Sequence, residues 1–337
     1  MTASEQSSRD TLWRMANAYQ VSQAIHVAAT LGIADLLWDG PRSVDELAAA
    51  TGSRATALYR LLRALASVGV FAEADGRFSQ TSLSEYLRTD APGSVRAWAM
   101  YMGRPYVWSP WAYLGDSVRT GEPVFPALHG TSAWDYRAAH PEEGAIFDAA
   151  MTGLSAAAAA AVVRSYDFSR IRVLVDVGGG QGELLAAILA ANPAVRGILF
   201  DQPHVVAGAG SVLERAGVAD RCEVVGGSFF EAVPGGADAY LLKSVVHDWD
   251  DARAVEILRG CREAMSDTGR LLLVEGVIQP GNEPDRMKLV DLHMLVMHGG
   301  QERTAEDFQR LYAEAGFRLT GIIPTGSPSN IVEGVPA

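Results

Sequence analysis

Lysine is nearly missing from this chain: Lys243 and Lys288 are the only two among 28 basic residues, and the rest are arginine. In a sequence that so avoids lysine, each one invites a functional reading. Cysteine is as scarce. Cys222 and Cys261 are the only two, and they form neither a CxxC pair nor a metal-ligand spacing. That excludes a disulfide scaffold and a cysteine-held metal centre, and it points to a reducing cytoplasm. No apolar run reaches membrane-spanning length, and the polar stretch Met1–Asp10 carries no apolar signal core. Positive charge is in deficit as well. A formal net charge of −12 discourages contact with phosphate backbones or anionic membranes, so neither nucleic acid nor a membrane is expected as partner. What is present suits a globular protein: 337 residues, 48% hydrophobic and 20% charged, enough for two domains and a large core.

From about residue 11 to 90 the apolar spacing is helical. Thr11–Thr30 and Ser43–Thr51 carry apolar residues three and four apart, and Ser43 with Glu46 reads as a capping box. Residues 43–71 read as helix, glycine turn and longer helix, and Glu73-Ala74-Asp75-Gly76-Arg77-Phe78 as a hairpin tip. That order is the order of a winged helix-turn-helix, which either reads DNA or serves packing and dimerisation. Between residues 40 and 90, six arginines (42, 54, 60, 63, 77, 88) face six acids (45, 46, 73, 75, 85, 90). The local charge is zero, without the basic footprint of a DNA reader, so the packing reading is preferred.

Residues 98–136 are rich in aromatics. Trp98, Trp108, Trp111 and Trp134 are four of the seven tryptophans, joined by Tyr101, Tyr106, Tyr113 and Tyr136, with Met100, Met102 and Met151 beside or after them. Such residues line a pocket for a flat apolar ligand or simply form core. From about residue 166 strands alternate with helices: strands at 172–177, 196–201, 222–226, 239–245 and 269–276, and helices near 182–192, 204–216, 251–265 and 304–315. This is an α/β, Rossmann-like pattern, a mostly parallel sheet covered on both faces. Phe317 to Val332 reads as two strands joined by Gly326-Ser327-Pro328, an antiparallel C-terminal edge. The alanine tract 156–161 reads as a close-packed helix. Three segments are therefore expected: 1–97, winged-helix-like; 98–165, helical and pocket-forming; and 166–337, the α/β domain.

The α/β domain opens on the most informative stretch, Val173-Leu174-Val175-Asp176-Val177-Gly178-Gly179-Gly180-Gln181-Gly182-Glu183-Leu184-Leu185. It reads as a buried strand, a glycine turn and a helix start. The glycines let the backbone bend sharply and let a ligand lie on main-chain N–H groups. Asp201 ends the next apolar run, where a ribose-binding carboxylate belongs. The spacing is G-x-G-x-G rather than the G-x-G-x-x-G of a NAD site, which by itself argues only weakly against NAD.

Further motifs follow: Leu199-Phe200-Asp201-Gln202-Pro203, Gly227-Ser228-Phe229-Phe230, Leu241-Leu242-Lys243-Ser244-Val245-Val246-His247-Asp248-Trp249, Leu273-Val274-Glu275, and Gly299-Gly300-Gln301-Glu302-Arg303-Thr304. In this order and spacing, over nearly the whole chain, the sequence resembles the plant-type O-methyltransferases that use S-adenosylmethionine, and within them the bacterial small-molecule and polyketide-tailoring branch. The resemblance implies a winged-helix-like N-terminal domain that forms a homodimer. It also implies S-adenosylmethionine as cofactor, S-adenosylhomocysteine as product, no metal, and an aromatic small molecule as substrate. Gly178 and Gly180 are then expected against the methionine part of the cofactor and Asp201 on the ribose. Ser228 and Phe229 are expected at the adenine, with Lys243 and Ser244 following on the fourth strand. Many family members carry aspartate where this chain has Ser228, whose hydroxyl would meet the adenine amino group instead.

By the same resemblance His247 is the general base that takes the acceptor's proton, with Glu275 and Glu302 flanking it. Read without the resemblance, Glu302 is also placed to cap the helix that follows Thr304. Moving a proton from a phenol to an ordinary imidazole is uphill by roughly 5 kcal/mol, and from an alcohol by roughly 12 kcal/mol, so an aryl hydroxyl is the favoured acceptor. Direct displacement at a methyl group demands alignment, so positioning supplies most of the rate. Trp98, Met100, Met102, Phe147, Met151, Met294 and Met297 are the expected pocket; Phe147 and Met151 share a helix face. One relative in this bacterial branch hydroxylates an anthracycline without methyl transfer. The complete set of His247, Glu275 and Glu302 favours methyl transfer.

Overall fold

A computed structural model describes residues 3–337, the side chains of residues 3–6 and of Ala157 excepted. Met1 and Thr2, the start of the polar N-terminal segment, lie outside the described residues. The chain divides into two compact units. One comprises Met1–Trp108 with Ala145–Gly153, and the other Ser109–Gly144 with Leu154–Ala337.

In the first unit, helices Ala18–Thr30, Val44–Thr51 and Ala55–Ser67 close over a core of Leu47, Leu58, Leu62, Leu65 and Phe78. Leu58, Leu62 and Leu65 recur at four and three residues, which places them on one helix face. Ser43 caps Val44–Thr51 in a complete capping box with Glu46. The wing is a hairpin of Phe71–Ala74 and Arg77–Gln80. Its two-residue tip, Asp75-Gly76, has φ of 50° and 71°, the left-handed pair whose twist matches the strands. Leu12, Trp13 and Met15, on helix Ala3–Ala16, are exposed by 69%, 67% and 68%, an apolar surface of the kind that a chain-to-chain interface covers.

The second unit is built on seven strands: β1 (Val173–Val177), β2 (Arg196–Asp201), β3 (Cys222–Gly226), β4 (Ala239–Lys243), β5 (Arg270–Glu275), β6 (Phe317–Pro324) and β7 (Asn330–Pro336). They lie in the order β6-β7-β5-β4-β1-β2-β3. The pairs from β3 through β5 are parallel, and β7 runs antiparallel to both β5 and β6. Alternation in β4 and β5 sends Leu242, Leu271 and Leu273 into one core and Leu241, Leu272 and Val274 into the other. Both faces are therefore covered. The strand order reverses between β1 and β4, the crevice where open α/β sheets bind ligands beyond their carboxyl ends.

The helices used below are α1 (Pro141–Ser165), α2 (Glu183–Ala191), α3 (Asp251–Ala264), α4 (Met287–Met297) and α5 (Ala305–Glu314). Four features differ from the sequence reading, the first two with local causes. β4 stops at Lys243, because Ser244 takes φ of 53° and leaves the extended region. The helix expected at 204–216 is two short helices, Pro203–Val206 and Gly210–Arg215, interrupted around Gly208. β7 continues past Val332 to Pro336. Helix α1 is long and apolar enough to cross a membrane by length and composition alone, a length that the alanine-rich sequence did not suggest. Within it Ala150, Ala159, Ala161 and Val162 are buried in the protein.

Candidate active site

After β1 the chain turns through Gly178, Gly180 and Gly182, with φ of 70°, 61° and 86°, values that glycine alone adopts without strain. The Gly178 and Gly179 amides donate to the Phe200 carbonyl at 2.8 and 3.2 Å. The Gly180 amide donates to Asp201 Oδ2 at 2.8 Å, and the Gln202 amide to Oδ1 at 2.6 Å. Asp201 thereby ties the turn to the end of β2. Burial raises its pKa, and those two amides pull the other way. A Cβ on Gly178 would stand 2.7 Å from Val245 Cγ2, whereas on Gly180 it would meet nothing within 4 Å. The turn is tight at one end and open at the other, a cradle fitted to a ligand that lies directly on backbone.

Asp176 lies below the turn at 1% exposure, its Oδ1 without a hydrogen-bond partner among the described residues. Burial, and then the charge of Asp201, push it up to about 7 against the pull of Lys243. Lys243 closes β4 and its Nζ donates to Ser244 Oγ at 3.3 Å. Burial lowers this lysine, while Glu275, Asp176 and Asp248 support its charge. The left-handed Ser244 sits immediately beyond, a strained residue of the kind that clusters at functional sites. Phe229 lies 3.8 Å from the Cβ position of Gly178 and meets Phe230 and Trp249 edge-on. The Ser228 hydroxyl accepts the Phe230 amide at 3.3 Å.

His247 lies outside β4, which ends at Lys243. It lies four residues further on, in the short 3-10 turn Val246–Asp248. Its Nδ1 is 2.7 Å from Glu302 Oε1 and 3.6 Å from Glu275 Oε2, and its Nε2 is 3.7 Å from Asp248 Oδ1. An ionised carboxylate only accepts, so the short bond to Glu302 fixes the proton on Nδ1 and leaves Nε2 as the basic nitrogen. Burial opposes the imidazolium, but Glu275, Asp248 and the Glu302 hydrogen bond outweigh it and hold His247 up to about 10. Burial also raises Glu275. Glu275 Oε1 accepts the amides of Val245 and Val246 at 3.0 and 3.1 Å, so one carboxylate shapes the turn and faces the ring. Glu302 is not a helix cap: Thr304 caps α5, in a box with Asp307.

Residues 111–318 match the model of an O-methyltransferase domain, and residues 13–90 that of an O-methyltransferase dimerisation domain. The chain belongs to the O-methyltransferase family. It is 48% identical to a phenazine O-methyltransferase of Lysobacter antibioticus, over 96% of this chain and 95% of the relative. It is 41% identical to a mitomycin biosynthesis 6-O-methyltransferase of Streptomyces lavendulae, over 98% and 96%. Among solved structures, LaPhzM superposes with a TM-score of 0.95 at 48% identity, covering 98% of this chain and 99% of the other. NcsB1, an O-methyltransferase from neocarzinostatin biosynthesis solved with S-adenosylmethionine and 2-hydroxy-5-methyl naphthoic acid, superposes with a TM-score of 0.82 at 36% identity, over 94% and 96%. The protein is an S-adenosylmethionine-dependent O-methyltransferase and pairs as a homodimer through its dimerisation domain.

The expected pocket residues of this O-methyltransferase divide between the two units. Trp98, Met100, Met102, Phe147 and Met151 belong to the first. There Trp98 and Phe147 flank Tyr101 at 5.7 and 5.4 Å, while Met100 packs on the helical core. Met294 and Met297 belong to the second, buried on α4. Several residues that shape the site carried no role in the sequence reading. A Cβ on Gly300 would come within 2.1 Å of the His247 carbonyl oxygen and 2.4 Å of the Asp248 carbonyl carbon, so only glycine lets this loop pass beneath the histidine. Arg303, at 1% exposure, donates to the carbonyls of Val246 and Trp249 and to Asp251, fastening the His247 turn from behind. Asp291 accepts the Glu302 amide at 2.8 Å. The motif Gly300-Gln301-Glu302-Arg303 was the available signal for the first two of these, but sequence does not show which residue a loop crosses.

Proposed function

We propose that this enzyme methylates a phenolic hydroxyl of an aromatic small molecule, with His247 Nε2 as general base. The observation that carries the reading is the 2.7 Å contact between His247 Nδ1 and Glu302 Oε1, which holds the proton on Nδ1 and leaves Nε2 as the basic nitrogen. An imidazole raised to about 10 matches the pKa of a phenol, near 10. The proton transfer that costs roughly 5 kcal/mol with an ordinary histidine then comes close to balance. Alcohols remain far out of reach. Glu302 and Glu275 stabilise the imidazolium as it forms and hold the ring in its orientation.

When bound, S-adenosylmethionine supplies the electrophilic methyl group. Gly178 and Gly180 would lie against its methionine part, Asp201 would take the ribose hydroxyls, and Ser228 and Phe229 would meet the adenine, with Lys243 and Ser244 closing the floor. The open backbone at Gly180 and the nearness of Phe229 to Gly178 support that assignment. Met294 and Met297, buried on α4 in the unit that carries His247, remain the proposed wall of the acceptor pocket. Curated relatives that methylate phenazines, dihydroxy-methylnaphthoate and amino-hydroxybenzoate support an aromatic acceptor. We place the enzyme in the cytoplasm; Cys222 and Cys261 are both unpaired thiols, the state that a reducing compartment maintains.

Incubation with S-adenosylmethionine and a panel of phenols, hydroxynaphthalenes and aryl carboxylic acids, read by mass spectrometry, tests the reading. Gain of one methyl on a hydroxyl-bearing acceptor is expected. Gain of an oxygen, or methylation of the carboxyl or an amine instead, overturns it.

A further inference from the structure

Beside the His247 turn, the second unit buries three more basic groups that the methyl transfer does not use. His293 on α4 is 6% exposed. The Trp111 indole N–H, which is only a donor, donates to His293 Nδ1 at 3.2 Å, and the two rings stack at 6.0 Å. Nδ1 is therefore the accepting nitrogen, and the proton of the neutral ring sits on Nε2 as a donor. His298, just past the end of α4, lies tilted against Trp134 at 4.9 Å, and its buried Nδ1 has no hydrogen-bond partner among the described residues. Arg137, 5% exposed, sets its guanidinium over the same Trp134 ring at 4.3 Å. Burial first and the Arg137 charge second keep both histidines neutral, His293 lowered to about 4 and His298 well below its usual value. His247 acts electrostatically on both rings, and Arg137 on Asp248.

The region next to the base thus offers a fixed N–H donor, an unpaired imidazole nitrogen and one positive charge, framed by flat tryptophans. A buried polar atom left unpaired is costly, so the arrangement calls for a ligand group that meets it. Donors with a guanidinium suit an oxyanion with two planar oxygens. The acceptor hydroxyl itself belongs to His247, so the oxyanion must be a second substituent of the same molecule. We propose that His293, His298 and Arg137 form a subsite for a carboxylate on the acceptor's aromatic ring, so that the enzyme prefers hydroxyaryl carboxylic acids. This rests on the reading of the protein as an aryl O-methyltransferase and names its substrate class.

The test is binding rather than turnover. With S-adenosylhomocysteine present, calorimetry compares a hydroxynaphthoate, the matched hydroxynaphthamide and the unsubstituted naphthol on wild-type homodimer and on His293→Phe. Wild type is expected to bind the carboxylate at least about tenfold more tightly than the other two, and His293→Phe to bring that ratio close to one. Equal binding of the three by wild type, or an undiminished ratio in the variant, overturns the subsite. Should His293→Phe not fold, His298→Leu takes its place and the same ratio decides in the same way. Methylation of all three probes at equal efficiency removes this inference and leaves the methyltransferase reading standing. A clear carboxylate preference in binding with no methyl transfer to any probe does the reverse.

Discussion

Glu302 reaches back 55 residues along the chain to accept the Nδ1 proton of His247 at 2.7 Å. The contact decides which nitrogen is the base, and with Glu275 and Asp248 it sets how basic that nitrogen is.

The pH profile should report that dependence. His247 is raised to about 10, so its charged form persists through neutral pH and only the deprotonated ring takes the acceptor's proton. In wild type, kcat/KM should therefore climb with pH towards that value. Glu302→Gln keeps a hydrogen-bond partner but removes a negative charge. The climb should then move to lower pH by about one unit or more, with a lower plateau. Profiles of both proteins with one acceptor check this, since the acceptor's own ionisation cancels; an unmoved midpoint contradicts it.

Gly300 should be irreplaceable for a steric reason. A Cβ there would meet the His247 and Asp248 backbone at 2.1 and 2.4 Å, and backbone does not swing aside as a side chain does. Gly300→Ala should lower kcat by about tenfold to a hundredfold through misplacement of the base, with a much smaller change in the dissociation constant for S-adenosylmethionine. Paired kinetics and calorimetry decide it. Full activity in the alanine variant would mean that the loop relaxes freely.

Asp201→Ala should weaken cofactor binding by about tenfold or more, because it removes the proposed ribose contact and leaves the Gly180 and Gln202 amides without their partner. An unchanged dissociation constant takes Asp201 out of the ribose site.

Asp176 predicts a stability effect. Its folded pKa of about 7 lies above the ordinary 3.8, with burial the leading cause. The fold therefore favours the protonated carboxyl. That contribution is fully present below the ordinary value and is lost as pH rises through about 7. Without cofactor, the thermal midpoint of the wild type should drop between about pH 6 and pH 8, by about 3 °C or more. Asp176→Asn, which does not ionise, should flatten that drop. Parallel slopes in the two proteins refute the assignment.

Much of this was legible in the sequence where short-range rules act. The parallel strands show as apolar runs, Ser43 with Glu46 announces a capping box that the structure contains, and three glycines mark a turn that needs three positive φ angles. The family motifs also picked out His247, Glu275 and Glu302, which the fold brings together. What stayed hidden depends on long-range approach. Nothing near residue 247 says that β4 will stop at Lys243 and that His247 will ride on a 3-10 turn, because this follows from the left-handed Ser244 and from Glu275 bonding the amides of Val245 and Val246. Arg303 reads as one more arginine, and only the folded chain shows it buried behind the active turn. Helix α4 was not expected either, since its apolar and polar residues follow no clear single-face period, and its His293 therefore went unread.

Single-turnover methyl transfer by His247→Ala, set beside calorimetry of S-adenosylmethionine on the same protein, tests the central claim most directly. The account predicts a rate at least about a hundredfold below wild type with cofactor affinity preserved. Transfer near the wild-type rate would contradict it and leave the acceptor's proton without its base.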